Sequence, residues 1–160
     1  MSDILQHAVI PNLEATGTPY LLDPGSGAVV LPFEAEHGVR FLLYVLADDE
    51  RAEVTVSTTV LEVPSLRRGR VALVVADLNT RYRAVTFSMA KCTVYADACV
   101  DLAYCTDPGT LVRLAVERLM CALSLAYPAI ATNARGRQRR PKVLREVEQI
   151  LTNMTAIAPE

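Results

Sequence analysis

The chain has few of the residues from which metal sites and nucleophilic sites are built. Its two histidines, His7 and His37, stand far from each other and from every thiol in the sequence. The four cysteines contain no CxxC pair: Cys92, Cys99, Cys105 and Cys121. Zinc-ligand spacing is therefore absent. Because each cysteine stands among apolar residues, we expect all four to be small buried hydrophobic side chains.

Lysine is also scarce. Lys91 and Lys142 are the only lysines among the 16 basic residues, so arginine carries almost all of the positive charge. This usage, with abundant alanine and valine, is typical of a GC-rich bacterial genome. The net charge is -2 and the pI is about 5.7, so the field of the whole molecule does not steer it toward nucleic acid or an anionic membrane.

Long apolar runs are missing as well. The amino terminus "MSDILQHAVIPN" has neither the basic region nor the apolar run of a signal peptide. No stretch approaches the ~18 uncharged apolar residues of a membrane helix. These features predict a cytoplasmic protein without a membrane partner.

The pattern of hydrophobic residues predicts helices and strands in separate runs. At 160 residues and 51% hydrophobic content, the chain is long enough for one domain with a core. A helix is predicted over residues 2–15, with Ser2 as its N-cap and with Pro11 expected to kink or end it. Then the period changes to two, in "TPYLLD", "GAVVLPF", "VRFLLYVLA" and "AEVTVSTTVLEV". Their short connections predict an antiparallel meander.

The next segment, "PSLRRGRVALVVADLNTR", is read as a helix that begins near Pro64, although "RVALVV" alone could be a strand. Asn79 is a common type of residue at a helix end, because it tolerates left-handed backbone geometry. "RAVTFSMA" and "CTVYADACVDLAY" are predicted to be a second set of strands. In the longer one, the residues from Val94 to Leu102 at even positions share one face, and Tyr95, Asp97, Cys99 and Asp101 share the other.

The last part of the chain is predicted to be helical. "TDPGTLVRLAVERLMCALSLAYP" has Asp107 as its cap, and Pro128 marks its end or a bend. A basic connector over 133–141 leads to a final amphipathic helix, so the predicted division is an α+β domain over 1–132 and an appended segment over 133–160. The fold class is α+β: antiparallel sheet or sheets flanked by helices, in the order helix, strands, helix, strands, helix, helix.

No group of residues specifies a reaction. "DPGSG" lacks the lysine of a phosphate-binding loop, and the three consecutive acids at 48–50 are typical of a solvated turn. We therefore predict no catalytic residue, no metal and no cofactor, while an enzyme with a pocket assembled from distant residues stays open as an alternative. Another alternative is a nucleic-acid-associated regulator that uses a run of four arginines: Arg135, Arg137, Arg139 and Arg140. That run has no aromatic residue for base stacking, so a solvated connector or a contact to an acidic partner is favoured over nucleic-acid binding.

The order of elements resembles the YbjN-like family and the fold of type III secretion chaperones. The segments that carry the resemblance are "GTPYLLDPGSGAVVLPF", "VRFLLYVLA", a helix that ends in "VVADLN", "RAVTFSM", "TVYADACVDL" and a helix that opens "DPGTLVRLAVERLM". Asn79, with Phe87 eight residues later, is the most family-like local signature. The resemblance covers residues 1 to about 127 and departs from the family at "SMAKC", which has no glycine where the family often turns at Asp-Gly.

The resemblance implies a non-enzymatic module that binds peptide segments of other proteins, in a chaperone-like or regulatory role and often as a homodimer. We expect its contact surface on the exposed side of the second set of strands and on the helix before it. The expected partner-binding residues are Val71, Val74, Val75, Leu78, Arg81, Tyr82, Arg83, Tyr95, Cys99 and Tyr104. The competing interpretation of each is ordinary core packing.

Overall fold

A computed structural model describes residues 2–35 and 38–134 of the chain. Its strands are β1 (Leu21–Leu22), β2 (Val29–Glu34), β3 (Arg40–Asp48), β4 (Glu53–Glu62), β5 (Thr86–Ala90) and β6 (Thr93–Asp101). Its helices are α1 (Ile10–Thr16), α2 (Arg68–Arg81) and α3 (Pro108–Ala134). A π-helical segment, Leu5–Val9, leads into α1, and a 3-10 turn, Ser65–Arg67, leads into α2.

All six strands form one antiparallel sheet in the order β1-β2-β3-β4-β6-β5. The two predicted sets of strands are thus not two sheets, because β6 pairs with β4 from Glu53↔Asp101 to Glu62↔Thr93 and lies between β4 and β5. The only irregularity in that pairing is a bulge at Val60. The α+β class and the order of the described elements are confirmed.

The helices form one layer on one face of the sheet, which we call the inner face. Its buried side chains come from alternate positions of the strands, among them Val29, Leu31, Phe41, Leu43, Val45, Val54, Val56, Phe87, Val94, Ala96 and Ala98. Tyr127 of α3 meets Phe41 edge to face, with ring centroids 5.6 Å apart. Val71, Val75 and Leu78 of α2 belong to the same core cluster. The domain is therefore two layers, sheet and helices, around one core.

Pro11 was predicted to kink or end its helix, and Pro128 to mark an end or a bend; neither residue ends its helix. Pro11 lies in the first turn of α1, directly after the π-helical segment Leu5–Val9, and the helix continues to Thr16. Pro128 lies on the exposed side of α3, which continues to Ala134. The buried side chains on either side of it, Tyr127 and Ile130, hold that part of the helix in the core.

By length and composition alone, α3 is apolar enough to cross a membrane. The sequence-based expectation that no stretch approaches such a run therefore does not hold for this helix, which has no charged residue from Leu119 to Ala134. In the structure α3 lays its apolar side on the sheet, with Leu119, Leu123 and Ile130 fully buried. Core helices of water-soluble domains have the same properties.

Residues 133 and 134 of the predicted basic connector belong to α3, whereas the rest of the connector and the final helix lie outside the described residues, as does His37. The arginines of the basic run, Arg135 to Arg140, are part of that region. The division of the chain at 132 and 133 therefore stays a prediction.

Candidate protein-binding surface

The face of the sheet opposite the helices is the candidate site, and we call it the outer face. Cross-strand pairs define its residues, because directly opposed residues point the same way. The pairs Val30↔Tyr44, Tyr44↔Ser57 and Ser57↔Asp97 run across it from β2 to β6. In the described part of the chain, the helices pack on the inner face instead, so the outer face is left to solvent or to a partner.

One half of the outer face, on β2 and β3, is apolar. Val30 and Leu42 are almost fully buried there, although neither belongs to the main core cluster. Pro32 and Tyr44 are half-buried beside them, and Leu46 is 39% exposed. Burial, and to a smaller extent the nearby charge of Asp23, raises the pKa of Tyr44, so its hydroxyl stays protonated at neutral pH. This half offers apolar side chains to a partner.

The other half, on β4, β6 and β5, carries mostly polar side chains. They are Thr55, Ser57, Thr59, Thr86, Ser88, Tyr95, Asp97 and Cys99. The Ser57 hydroxyl donates a hydrogen bond to the Asp97 carboxylate across β4 and β6. These side chains are half-buried or exposed, and their hydroxyl groups can bond to a partner.

Cys99 lies in this polar half. Its Sγ donates to Glu53 Oε1 at 2.7 Å and accepts from Thr55 Oγ1 at 3.8 Å. Burial first, and then the hydrogen bond to Glu53, raises the pKa of the Cys99 thiol. A protonated thiol is a weaker nucleophile and metal ligand than a thiolate, so these contacts do not activate Cys99.

The prediction that all four cysteines are buried is wrong. Cys92 and Cys105 are half-buried, whereas Cys99 and Cys121 are exposed. Apolar neighbours in sequence do not imply burial here, because alternate positions of a strand face opposite ways and each helix has a solvent side. Cys99 takes an outward position on β6, and Cys121 takes one on α3.

The edge of the sheet at β5 is held by Asn79 of α2. Its side-chain nitrogen donates to the Phe87 carbonyl at 2.7 Å, and its oxygen accepts from the Phe87 N–H at 2.7 Å. The amide thus takes the place that a neighbouring strand would occupy. Asn79 is not the helix end that was predicted, since α2 continues to Arg81. The family-like signature in the sequence is Asn79 followed eight residues later by Phe87, and these are the two residues that the pair of hydrogen bonds joins.

Beyond Phe87, the β5 edge is open. Ladder bonds of antiparallel strands alternate, so Met89 presents its N–H and C=O to the same side as Phe87. In the described residues, no side chain takes up these two groups of Met89. The edge is therefore partly blocked and partly available to another strand.

The opposite edge of the sheet is closed more firmly. The Leu42 carbonyl points toward β4, where the Thr58 hydroxyl donates to it at 2.8 Å. Pro32 on β2 lies directly opposite Leu42, so its backbone points away from β3, toward the β1 side of the sheet. Proline has no N–H to offer to another strand there. The two-residue strand β1 pairs with Val29 and Val30, just before Pro32.

The structure separates the predicted site residues into two groups. Val71, Val75 and Leu78 are buried, and Val74 is half-buried against the same core. The prediction that this side of α2 is a partner surface is therefore corrected: its apolar stripe packs on β5 and on α3. Periodicity correctly indicated the stripe but could not show what covers it.

The other predicted residues are accessible. Arg81 pairs with Asp77 at 2.7 Å, and Arg83 is exposed. Tyr82 is half-buried against Phe87, with ring centroids 6.1 Å apart. Tyr95 and Cys99 lie on the outer face as predicted, whereas Tyr104 is fully exposed in the turn after β6 and is not part of the sheet.

A cavity of about 300 Å³ lies between α1, the first half of α3 and the inner face of β2 and β3. Buried apolar residues, including Val9, Leu31 and Val112, form its floor. Arg113 and Glu117 line it and face each other at 4.0 Å, each about half exposed. The cavity is small, mainly apolar and without a buried polar anchor. Across residues 2–35 and 38–134, no group of three His, Cys, Asp or Glu side chains could hold a metal ion.

One residue with a clear structural role was not recognised in the sequence. Asp49 belongs to the acidic turn at 48–50, and its carboxylate accepts from the Ser2 hydroxyl at 2.6 Å, from Asp3 N at 2.9 Å and from Ile4 N at 3.1 Å. The predicted cap, Ser2, accepts only a long bond from Leu5 N at 3.4 Å. Asp49 therefore caps the first helix from a distant turn, which no local pattern reveals.

No protein-family model matches the chain, and no curated protein matches it either. Solved structures do match. YbjN from E. coli covers 74% of this chain and 88% of its own length, with a TM-score of 0.56 and 13% identity. A chain of the ExsC-ExsE complex aligns over 76% of this chain and 90% of its own length, with a TM-score of 0.52 and 16% identity. A chain of the ExoU-SpcU complex from the type III secretion system of Pseudomonas aeruginosa aligns over 78% of this chain and 96% of its own length, with a TM-score of 0.50 and 16% identity.

These likenesses are in fold, since the identities are low. The protein has the YbjN-like fold that is also found in type III secretion chaperone complexes. The resemblance stated from the sequence is confirmed at that level.

Proposed function

We propose that this protein is a non-enzymatic module that binds a protein or peptide partner in a chaperone-like or regulatory role. The observation that carries the proposal is the outer face of the sheet, where an apolar half with the half-buried Tyr44 and the exposed Leu46 adjoins a polar half rich in hydroxyl groups. Such a face combines apolar anchors with hydrogen-bonding groups, as protein interfaces do.

The β5 edge adds a second means of binding. A peptide strand added there would bond to the free N–H and C=O of Met89 and would extend the outer face by one strand. Arg83 is exposed just before β5 and could contact the same strand. Main-chain bonds would supply affinity, and the outer-face side chains would supply specificity.

Similar structures support a protein partner. Two of the three are complexes of two different proteins, ExsC with ExsE and ExoU with SpcU. We extend this only to the class of ligand, a polypeptide. The homodimer, the bacterial source, the cytoplasmic location and the absence of enzymatic activity stay predictions, as does the alternative of a nucleic-acid-associated regulator.

The test compares substitutions of two exposed leucines, Leu46 and Leu125. Leu46→Asp places a charge on the outer face, and Leu125→Asp places the same charge on the solvent side of α3, where Leu125 is 61% exposed. The tagged wild-type protein and both variants are purified from the native cells, and the polypeptides that co-purify are quantified by mass spectrometry. We expect at least one polypeptide to be retained by the wild type and by Leu125→Asp and to be lost with Leu46→Asp.

A set of co-purifying polypeptides that is the same for all three proteins would contradict the outer face as the binding surface. If no polypeptide co-purifies with the wild type, the proposed function itself fails. Light scattering of the same samples measures the mass against the 17.5 kDa of one chain and so tests the predicted homodimer.

A further inference from the structure

The 3-10 turn Ser65–Arg67 and the first half of α2 expose leucines and arginines together. Leu66 is 96% exposed and Leu73 is 74% exposed. Between them stand three exposed arginines, Arg67, Arg68 and Arg70. We call these five residues the arginine–leucine surface. It belongs to the helix layer, so it is separate from the outer face of the sheet.

Packing among residues 2–35 and 38–134 does not account for the two leucines. The core side of this helix is already filled by Val71, Val75 and Leu78. Leu66 lies in the 3-10 turn Ser65–Arg67 and Leu73 in the second turn of α2, so the two exposed leucines flank the start of the helix. Arginine beside apolar side chains is a composition that protein interfaces favour.

The three arginines give this surface a local positive charge. Within the described residues, the ion pairs are Glu34 with Arg40, Asp48 with Arg51, Asp77 with Arg81, and Arg113 with Glu117, so none of the three takes part in one. The first turn of α2 contains no acidic residue. Lys91 lies at the same end of the sheet, because Val63, just before α2, donates to the Cys92 carbonyl at 2.6 Å.

The net charge of the chain conceals this local charge. At this end of the sheet the exposed Glu62 is one acidic side chain beside the three arginines and Lys91. Three acids lie at the other end, where Asp48 pairs in register with Glu53 and Glu53 with Asp101. β4 is ten residues long, so the two ends are ~30 Å apart, which exceeds the screening length of ~8 Å at physiological salt. A partner at the arginine–leucine surface therefore meets positive charge although the whole chain is acidic.

We propose that the arginine–leucine surface binds an acidic, amphipathic segment of a partner protein. Carboxylates of the segment bond to the planar guanidinium groups of Arg67, Arg68 and Arg70, a geometry that arginine favours. Apolar side chains of the segment cover Leu66 and Leu73. The leucines distinguish this partner from nucleic acid, which needs aromatic residues or further cations in their place. Two leucines are also too few for the broad apolar side of a membrane-surface helix.

The experiment uses the full chain and a defined probe. The probe is a fluorescein-labelled peptide of about 15 residues, long enough to form a helix in a complex, with glutamates on one side and leucines seven residues apart on the other. Fluorescence anisotropy measures its binding at ~50 and ~300 mM salt. We expect binding that weakens at the higher salt, because contacts between exposed charges are screened.

Two pairs of variants carry the argument. Arg67→Glu with Arg70→Glu reverses the charge, and Leu66→Ser with Leu73→Ser removes the anchors. Matched controls on α3 change one exposed arginine and one exposed leucine, Arg118→Glu and Leu125→Ser, at the same seven-residue spacing. We expect each surface pair to weaken binding about tenfold or more and the controls to change it less than about twofold. Circular dichroism checks that every variant is folded.

Equal binding of the peptide by the wild type and by both surface pairs would overturn the proposal, as would no binding by the wild type. Phosphatidylserine vesicles and a DNA duplex are titrated in parallel. The proposal would also be overturned if the vesicles or the duplex bound more tightly than the peptide and if that binding were lost in the Arg67→Glu with Arg70→Glu variant. The ligand of this surface would then be a membrane or a nucleic acid. Leu46→Asp leaves this surface intact, so loss of the proposed function on the outer face and loss of this site are distinguishable.

Discussion

The two faces of the single sheet differ in what covers them. The inner face carries Val54, Val56, Ala96 and Ala98 on the neighbouring strands β4 and β6, and helices bury all four. The outer face of the same two strands carries Ser57, Asp97 and other polar side chains, which stay half-exposed. Both faces arise from the same strands by alternation. The inner positions hold the fold together, and the outer positions are free to vary with a partner.

Thr58 is an exception within this comparison. It is the one polar residue in the buried core of the described chain, at 2% exposure. The β3–β4 pairing ends at Tyr44↔Ser57, and the Thr58 hydroxyl then bonds to the Leu42 carbonyl. The inner face is thus apolar except at Thr58, where the side-chain hydroxyl replaces a missing backbone hydrogen bond to the Leu42 carbonyl.

The largest predicted difference between the faces concerns Phe87. It is 1% exposed on the inner face, so Phe87→Ala leaves a cavity and should lower the free energy of unfolding by about 3–5 kcal/mol. Its neighbour on the outer face is the control, since Ser88→Ala should change that free energy by less than about 0.5 kcal/mol. Guanidinium denaturation measures both, and similar losses would mean that something buries the outer face.

Thr58→Val tests the exception. The substitution makes the inner face more apolar, yet it leaves the buried Leu42 carbonyl without its donor, so we expect a loss of about 1–3 kcal/mol. The matched control is Thr59→Val on the outer face, which removes a half-exposed hydroxyl and should be near neutral. If Thr58→Val stabilised the protein in the same denaturation experiment, the role assigned to this hydroxyl would be wrong.

Asn79→Ala should have a somewhat smaller effect. It removes two hydrogen bonds to Phe87 at an edge that water can reach, so we expect a loss of about 1–2 kcal/mol. Hydrogen exchange should show faster exchange of the Phe87 N–H. Thr80→Ala, one residue further along α2, is the control. Unchanged protection of Phe87 would show that the Asn79 bonds do not hold the edge.

The smallest predicted effect concerns Asp49, which joins the helix layer to the turn after β3. Its bonds, first to the Ser2 hydroxyl and then to the N–H groups of Ile4 and Asp3, lower the pKa of its carboxyl. The stability that it contributes is therefore present above the unfolded pKa of about 4 and is lost as the pH falls below it. Asp49→Asn should lower the melting temperature at pH 7 and have less effect near pH 2. An equal difference at both pH values would contradict the charge-assisted cap.

The sequence alone was sufficient for the parts of the fold that depend on local pattern. The alternation of β6 correctly placed Val94, Ala96 and Ala98 inward and Tyr95 and Asp97 outward. The pattern of α2 correctly indicated its apolar stripe, but Val71, Val75 and Leu78 proved to be core residues. A stripe on one side of a helix is compatible with burial in the same chain or by a partner, and only the packing decides between them.

What the sequence by itself determined is therefore the set of strands and helices, their apolar faces and the resemblance to a known fold. These depend on the periods of 2 and 3.6 residues, which any short segment carries. The tertiary structure alone decided that β6 lies between β4 and β5, that Asn79 bonds to the β5 edge and that Asp49 caps the first helix. Each of these joins groups that local periodicity does not relate, so they exist only once the sheet and the helix layer come together.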